Sequence, residues 1–535
     1  MQQALSRFLI AFLSLVSTVS AQEQVDLDVI HRIKTEAFQN SKVMDTMFQL
    51  TDVHGPRLTG SPQFKAAGDW AVKQMNEDGL ENVKLEKWGP FGRGWNYTHY
   101  AGHMSEPVYQ PLIGYPLAWT PGTDGVYSAE ATVAVIREEA DLAKFKGKLA
   151  GKIVLRNAPR NLTLPTEAAG RRLTDAQLTE LNVFRIPAPP AGQRPPAPGQ
   201  PPRLTPAQAR AFRAKLNQFW KDEGVKLVVE TSDQGDAGDV FGRGADRRLK
   251  DNVATIVLAA EHYNRIARLI EHKVPVKLQF DVKAEFFDGD EDSFNVIAEI
   301  PGTTKRDEVV MVGGHFDSWH FGTGATDNAA GSAVAMEVMR ILKALDVPMD
   351  RTVRLALWGG EEEGLLGSRA YVKQHFADPA VMRPTREHER FSAYYNLDNG
   401  SGKIRGINLQ DNDALRPVFE KWIEPFHDLG AKTIVLRNTG GTDHLSFDAV
   451  GLPGFQFIQD PLDYFTRTHH SNMDVYDRIQ ADDLKQASAV IAAMVYHTAV
   501  RPDKLARKPL PKAKPPRPED AEPAPAGPAT PGPVH

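Results

Sequence analysis

His315 and Asp317 stand two residues apart where an apolar run, 308–313, gives out. In extended chain such a pair leans to one side, so one residue can bind a metal ion while the other orients the imidazole. A glycine-rich bend then leads to a lone Asp327. Behind it Val334, Val338, Ile341, Leu342 and Leu345 recur at helical spacing. Two further apolar runs end in the same way. Residues 352–358 alternate Val353, Leu355 and Leu357 before Gly-Gly-Glu361-Glu362-Glu363, and 391–397 lead straight into Asp398.

Each feature alone has an ordinary explanation. Asp327 suits a helix N-cap, His315 a satisfied buried histidine, and Glu361 to Glu363 a solvated turn. Capping explains neither the His-x-Asp pair nor the glutamate run, which follows a strand too apolar for an exposed edge. In open α/β sheets, ligands bind beyond the carboxyl ends of the strands. Three such ends carrying carboxylates or imidazole form a constellation, and the loop after Gly313 is expected to hold an ion. The chain has no cysteine, which excludes disulfides and thiolate zinc sites. Imidazole and carboxylate must therefore supply the ligands.

The elements that position these residues follow from periodicity. Ser61-Pro62 reads as an N-cap with proline at the first helical position, and Phe64, Ala67, Ala71 and Met75 continue at helical spacing up to Gly79. From 105 to 290 the texture changes to short strands and turns, with "GKIVLRN", "VKLVVET" and "VATIVLAA" the clearest. This part is expected to be a small β-rich inserted domain. Its proline-rich stretch 187–203 is expected to be an exposed excursion. The catalytic part comprises 22–104 and 291–507. After 295 strands and helices alternate, as in a mainly parallel-centred mixed α/β sheet covered by helices. The tail 508–535 has little to bury and is expected to be disordered.

A chain of 535 residues is too long for one core. Its formal charge of −5 mixes both signs, which points away from nucleic acid. Residues 1–21 combine one arginine, an apolar run and a Val-Ser-Ala ending, the pattern of a secretory signal cut after Ala21. The alternative, an uncleaved anchor, needs a longer apolar run. A secreted or periplasmic protein, free of the membrane after cleavage, is expected.

"HFDSWHFGTGATDNAAG", "EEEGLLGS", "NLDNGSG" and "THHSNMD" resemble, in order and spacing, the M28 family of dizinc exopeptidases, and within it the carboxypeptidase Q branch. The likeness covers the chain apart from the tail and the proline-rich stretch. It implies the zinc exopeptidase fold, with 105–290 similar to a protease-associated domain. It further implies two Zn²⁺ per chain. Asp327 is then the bridge, His315 and Asp398 complete one site, Glu362 and His470 the other, and Glu361 is the general base. Asp474 is then placed to orient His470. The resemblance puts His469 beside a metal, where it is either an oxyanion donor or a surface histidine. Glu363 receives no role. Asp443 and His444 are expected to brace the wall, and Trp319 and Trp358 to pack as ordinary buried aromatics.

The implied activity is hydrolysis of dipeptides or short peptides at a free terminus, with broad aminopeptidase action on longer peptides as the alternative. A single-zinc glutaminyl cyclase and a catalytically silent receptor of the same fold are the rivals; an intact set of five ligands and a base argues against both. Relatives often dimerise, which makes a homodimer the assembly to test.

Overall fold

The computed structural model describes residues 23–183 and 204–514. The expected signal segment 1–21, the whole proline-rich stretch 187–203 and most of the tail lie outside the described residues. Among the described residues no helix is long and apolar enough to cross a membrane.

Two eight-stranded sheets organise the chain. The first runs Glu81–Trp88, Ser293–Ile300, Arg351–Trp358, Lys305–His315, Phe391–Asn396, Gly454–Gln459, Ile404–Asn408 and Thr433–Val435 in spatial order. Its four central strands, from Arg351–Trp358 to Gly454–Gln459, are parallel, and both flanks include antiparallel pairs. Helices Leu27–Gln39, Pro62–Glu77, Ala330–Leu345 and Ala481–Val500 share one hydrophobic core with the sheet, which also holds Val310, Val312, Val353 and Leu355. Strand residues of opposite parity, Met311, Ala356 and Tyr394, face a second core with Tyr371 and Phe447. This is the three-layer arrangement that strand-helix alternation predicts.

Local sequence accounts for much of this. Ser61 accepts the Phe64 amide as N-cap, Pro62 opens the helix, and Phe64, Ala67, Ala71 and Met75 are its buried stripe. At Gly313 a Cβ would lie 1.9 Å from the Ala356 carbonyl, so only glycine permits the neighbouring strand to come this close.

The second sheet is inserted where Trp88 and Ser293 face each other across one strand pair. Its first strand, Gly94–Glu106, begins upstream of residue 105, and its last in sequence, Lys277–Phe287, pairs with that first one. Leaving and returning at one point lets this sheet build its own core, with Leu155, Val229, Ile256 and Phe280 at its centre. One stretch of the insert reaches back to the first sheet. Arg172 binds Asp460 and Asp483, and Leu178 of helix Asp175–Leu181 packs on Val435 and Ile458. Residues 508–514 follow the surface of the first unit, with Lys508 Nζ bonded to the Gln410 carbonyl at 2.8 Å and the Lys514 amide to Pro379 at 2.9 Å.

Where the two units meet, His320 is buried against Trp95, Tyr97 and Phe321. One ring nitrogen bonds the Pro116 carbonyl at 2.8 Å. Burial lowers this imidazole from 6.5 to about 4, because charge is costly in an apolar pocket. The folded state therefore prefers neutral His320, and its contribution is complete above pH 6.5 and lost as pH falls towards 4. The loss should approach about 3 kcal/mol. Melting curves at pH 7 and 4.5 should show a larger acid destabilisation for the wild type than for His320→Gln. Equal acid shifts in the two proteins would dismiss this group as the cause.

Candidate metal centre

The parallel strands place their carboxyl ends side by side. His315 lies opposite Trp358, and Gly313 opposite Asn396. Asp398, two residues past Asn396, therefore arrives level with His315, while Glu361 and Glu362 follow the turn after Trp358. Asp327 comes from the irregular turn at 325–329, before helix Ala330–Leu345. It does not cap that helix, whose first turn has no side-chain cap from its N-cap residue. The neighbouring Asn328 binds the Gly331 amide at 2.9 Å and the Leu397 carbonyl at 2.9 Å, which leaves the Asp327 carboxylate free to face the strand ends.

All five ligand candidates converge there. Asp327 Oδ1 lies 3.2 Å from His315 Nε2, and Asp327 Oδ2 lies 3.3 Å from His470 Nε2. Asp398 Oδ1 is 3.6 Å from His315 Nε2, and Glu362 Oε2 is 2.8 Å from His470 Nε2. His469 Nε2 stands farther out, 3.9 Å from Asp327, with its ring tilted against His470 at 3.8 Å between centroids. Two overlapping groups that could hold a metal emerge: His315, Asp327 and Glu362, and Asp327, His469 and His470.

The electrostatics suit cations. Burial pushes the Glu361, Glu362 and Glu363 carboxyls well above their usual range, and neighbouring carboxylates push them further. Burial likewise raises Asp443 to about 7. Burial also acts to raise Asp327, but its bond to His315 and the charges of His470 and His469 outweigh this and hold it low. His315 is the converse case: burial acts against its charged form, yet Asp398 and Glu361 raise it well above 6.5. Asp327 Oδ2 and Glu362 Oε1 are buried without a hydrogen-bond partner, which is costly unless a cation satisfies them. The donor set of imidazoles and carboxylates, open on the cleft side, fits zinc.

Supporting residues depart in part from expectation. The Asp317 main-chain carbonyl, at 3.0 Å, accepts from His315 Nδ1. The Asp317 carboxylate instead accepts from Thr59 Oγ1 at 2.9 Å and from the Glu361 and Glu362 amides at 3.2 and 3.3 Å. It thus fixes the glutamate turn. Asp474 does not orient His470. Its carboxylate takes the Thr326 amide and hydroxyl and the Asp327 amide, because that turn leaves these donors without strand or helix partners. The group on His470 Nδ1 is Arg243, 3.3 Å away.

Trp358 is core, its indole donating to Tyr394 at 2.7 Å. Trp319 also packs, against Trp119, but it touches His470 and lines the adjoining cleft. His444 bonds the Thr439 carbonyl, and Asp443 is buried behind the site. Three contributors had no warning in the motifs. Arg57, fully buried, donates to the Leu50, Phe316, Thr323 and Gly324 carbonyls and ties both sides of the loop together. Tyr464 packs its ring against His469, its hydroxyl kept protonated by burial and by Asp327, Asp398 and Glu362. Arg243 comes from the inserted unit.

A helix-covered, parallel-centred sheet with imidazoles and carboxylates gathered at its strand ends is the scaffold of a metallopeptidase. Residues 295–495 match peptidase family M28, so the chain carries a peptidase M28 domain. It is similar to carboxypeptidase Q of Mus musculus, at 25% identity over 93% of each chain. Among solved structures it is similar to a peptidase M28 precursor from Shewanella amazonensis, with TM-score 0.64, 24% identity and coverage of 91% of this chain and 98% of that one. It also shares the fold of BSAP, a zinc aminopeptidase from Bacillus subtilis, with TM-score 0.53, 21% identity and coverage of 86% and 95%.

Proposed function

We propose that this metallopeptidase is a secreted dizinc exopeptidase acting on dipeptides or short peptides at a free terminus. The observation that carries this reading is the Asp327 carboxylate, with one oxygen turned to His315 and the other to His470. His315, Asp327 and Asp398 would hold one ion, and Asp327, Glu362 and His470 the other. The likeness to carboxypeptidase Q over most of both chains supports action at a free peptide terminus, and that to a zinc aminopeptidase supports zinc. Residues 1–21 serve as the export signal, and the inserted sheet is a protease-associated-type module walling the cleft.

Bound zinc supplies Lewis acidity, lowering the pKa of water and polarising the scissile carbonyl. The Glu361 carboxylate, held in its turn by Asp317, takes the proton of the attacking water and returns it to the leaving amine. The protonated Tyr464 hydroxyl and His469, both beside Asp327, would serve as donors to the oxygen on which charge develops.

Metal analysis after dialysis into zinc-containing buffer should find two equivalents per chain, and chelation should abolish activity that zinc restores. One equivalent with full activity would refute the dinuclear reading. Asp317→Ala tests the support of the turn. Removing an outer partner of this kind costs roughly 10–100-fold in metal affinity or activity, so zinc titration and turnover should show that loss. Wild-type values for both would show that the glutamate turn holds itself.

A further inference from the structure

Between the inserted sheet and the metal centre lies a cleft of about 720 Å³, and arginines crowd its walls. Several are already engaged. Arg156 meets Glu230 at 3.1 Å, Arg248 meets Asp246 at 2.9 Å, and Arg247 covers the Phe91 ring at 4.5 Å while facing Glu363. Arg243 is different. It is exposed in the cleft, no carboxylate pairs with it among the described residues, and its Nε reaches His470 Nδ1.

Its backbone is fixed to the catalytic unit. The Val240 amide donates to Asn472 Oδ1 at 2.7 Å, the Asn472 amide to the Val240 carbonyl at 3.1 Å, and the Gly242 amide to the His470 carbonyl at 3.1 Å. Phe241 and Ser471 form a short antiparallel bridge. The inserted unit thus delivers one cation, on a rigid support, one imidazole ring away from Asp327 and Glu362.

We infer that Arg243 is a specificity-determining residue whose guanidinium receives the C-terminal carboxylate of the substrate, one residue beyond the scissile bond. The inference rests on the exopeptidase reading above and selects within it: release of a C-terminal residue rather than broad aminopeptidase action. The reach is right, because one extended residue spans about 3.3–3.6 Å and Arg243 stands a single ring behind the cluster. The chemistry is right as well. Only Arg243 Nε is taken up, by His470 Nδ1 at 3.3 Å, and the terminal nitrogens bond no other side chain among the described residues. A planar fork with five N–H groups matches a carboxylate better than any other ligand a short peptide offers.

The test compares a dipeptide with its C-terminal amide on zinc-loaded protein. Wild type should favour the free acid at least 10-fold in kcat/KM, chiefly through KM. In Arg243→Ala the acid-to-amide ratio should fall close to one, and Arg243→Lys should recover part of it. By calorimetry, a non-cleavable dipeptide isostere with a free carboxylate should bind Arg243→Ala roughly 10–100-fold more weakly than wild type, a loss in the range for charge-assisted hydrogen bonds. An unchanged ratio, equal losses for acid and amide, or loss of zinc from Arg243→Ala would overturn the inference. Wild-type cleavage of both forms without preference would overturn the role of Arg243 alone. Cleavage of neither would instead overturn the exopeptidase reading on which it rests.

Discussion

Glu361→Gln should lower turnover by about 10²–10⁴-fold, the usual contribution of a general base, and leave zinc content untouched. The substitution keeps the side chain's size and removes only its capacity to accept a proton. Glu361 is not among the groups within metal-holding distance of one another, whereas its neighbour Glu362 is. The Asp317 carboxylate clamps both amides and so fixes the register of the turn that carries the two glutamates. Glu362→Gln should therefore lose zinc affinity together with turnover. Paired zinc titration and single-turnover measurement decide the matter. Zinc lost from Glu361→Gln but kept by Glu362→Gln would put the register off by one, and a fully active Glu361→Gln would remove it as base.

Asp327→Ala should lose both ions and all measurable turnover, because among the described residues its carboxylate alone lies beside both His315 and His470. His470→Ala should mainly weaken one site, since Asp327, His315 and Asp398 remain together. A ligand that binds only the folded state stabilises it in proportion to the logarithm of its saturation. Zinc should accordingly raise the melting temperature of the wild type and of His470→Ala but not that of Asp327→Ala. A normal zinc complement in Asp327→Ala would show that the bridge lies elsewhere.

Three of the residues that meet at the centre were legible through a local rule. His315, Glu362 and Asp398 follow apolar strands, and parallel strands bring their ends to one edge of the sheet whatever lies between them. Asp327 and His470 lie in turns instead and stood out only through the motifs around them. Alternation of strands and helices was likewise enough for the layered architecture, and Ser61-Pro62 for a helix start. The supporting shell did not follow such a rule. The partner of a donor depends on which acceptor the folded chain carries past it. Asp474, four residues after His470, goes to the Thr326 and Asp327 amides, whose own turn leaves them unpaired. Nothing local marks this.

What the sequence by itself determined, then, is the sheet, the strand ends that carry His315, Glu362 and Asp398, and a donor set limited to imidazole and carboxylate, since these depend on short periodicities and on the absence of cysteine; His470 entered through the motif resemblance alone. Tertiary structure alone decided how the groups are supported and what closes the cleft. Thr59 reaches Asp317 across 258 residues, and Arg243 reaches His470 across 227. Such contacts form only because the insert leaves and re-enters at a single strand pair, Trp88 with Ser293, and folds back so that the 240–242 backbone bonds to 470–472. Hydrogen bonds between distant segments leave no periodic trace in either segment, so which arginine faces the metal centre is a property of the fold.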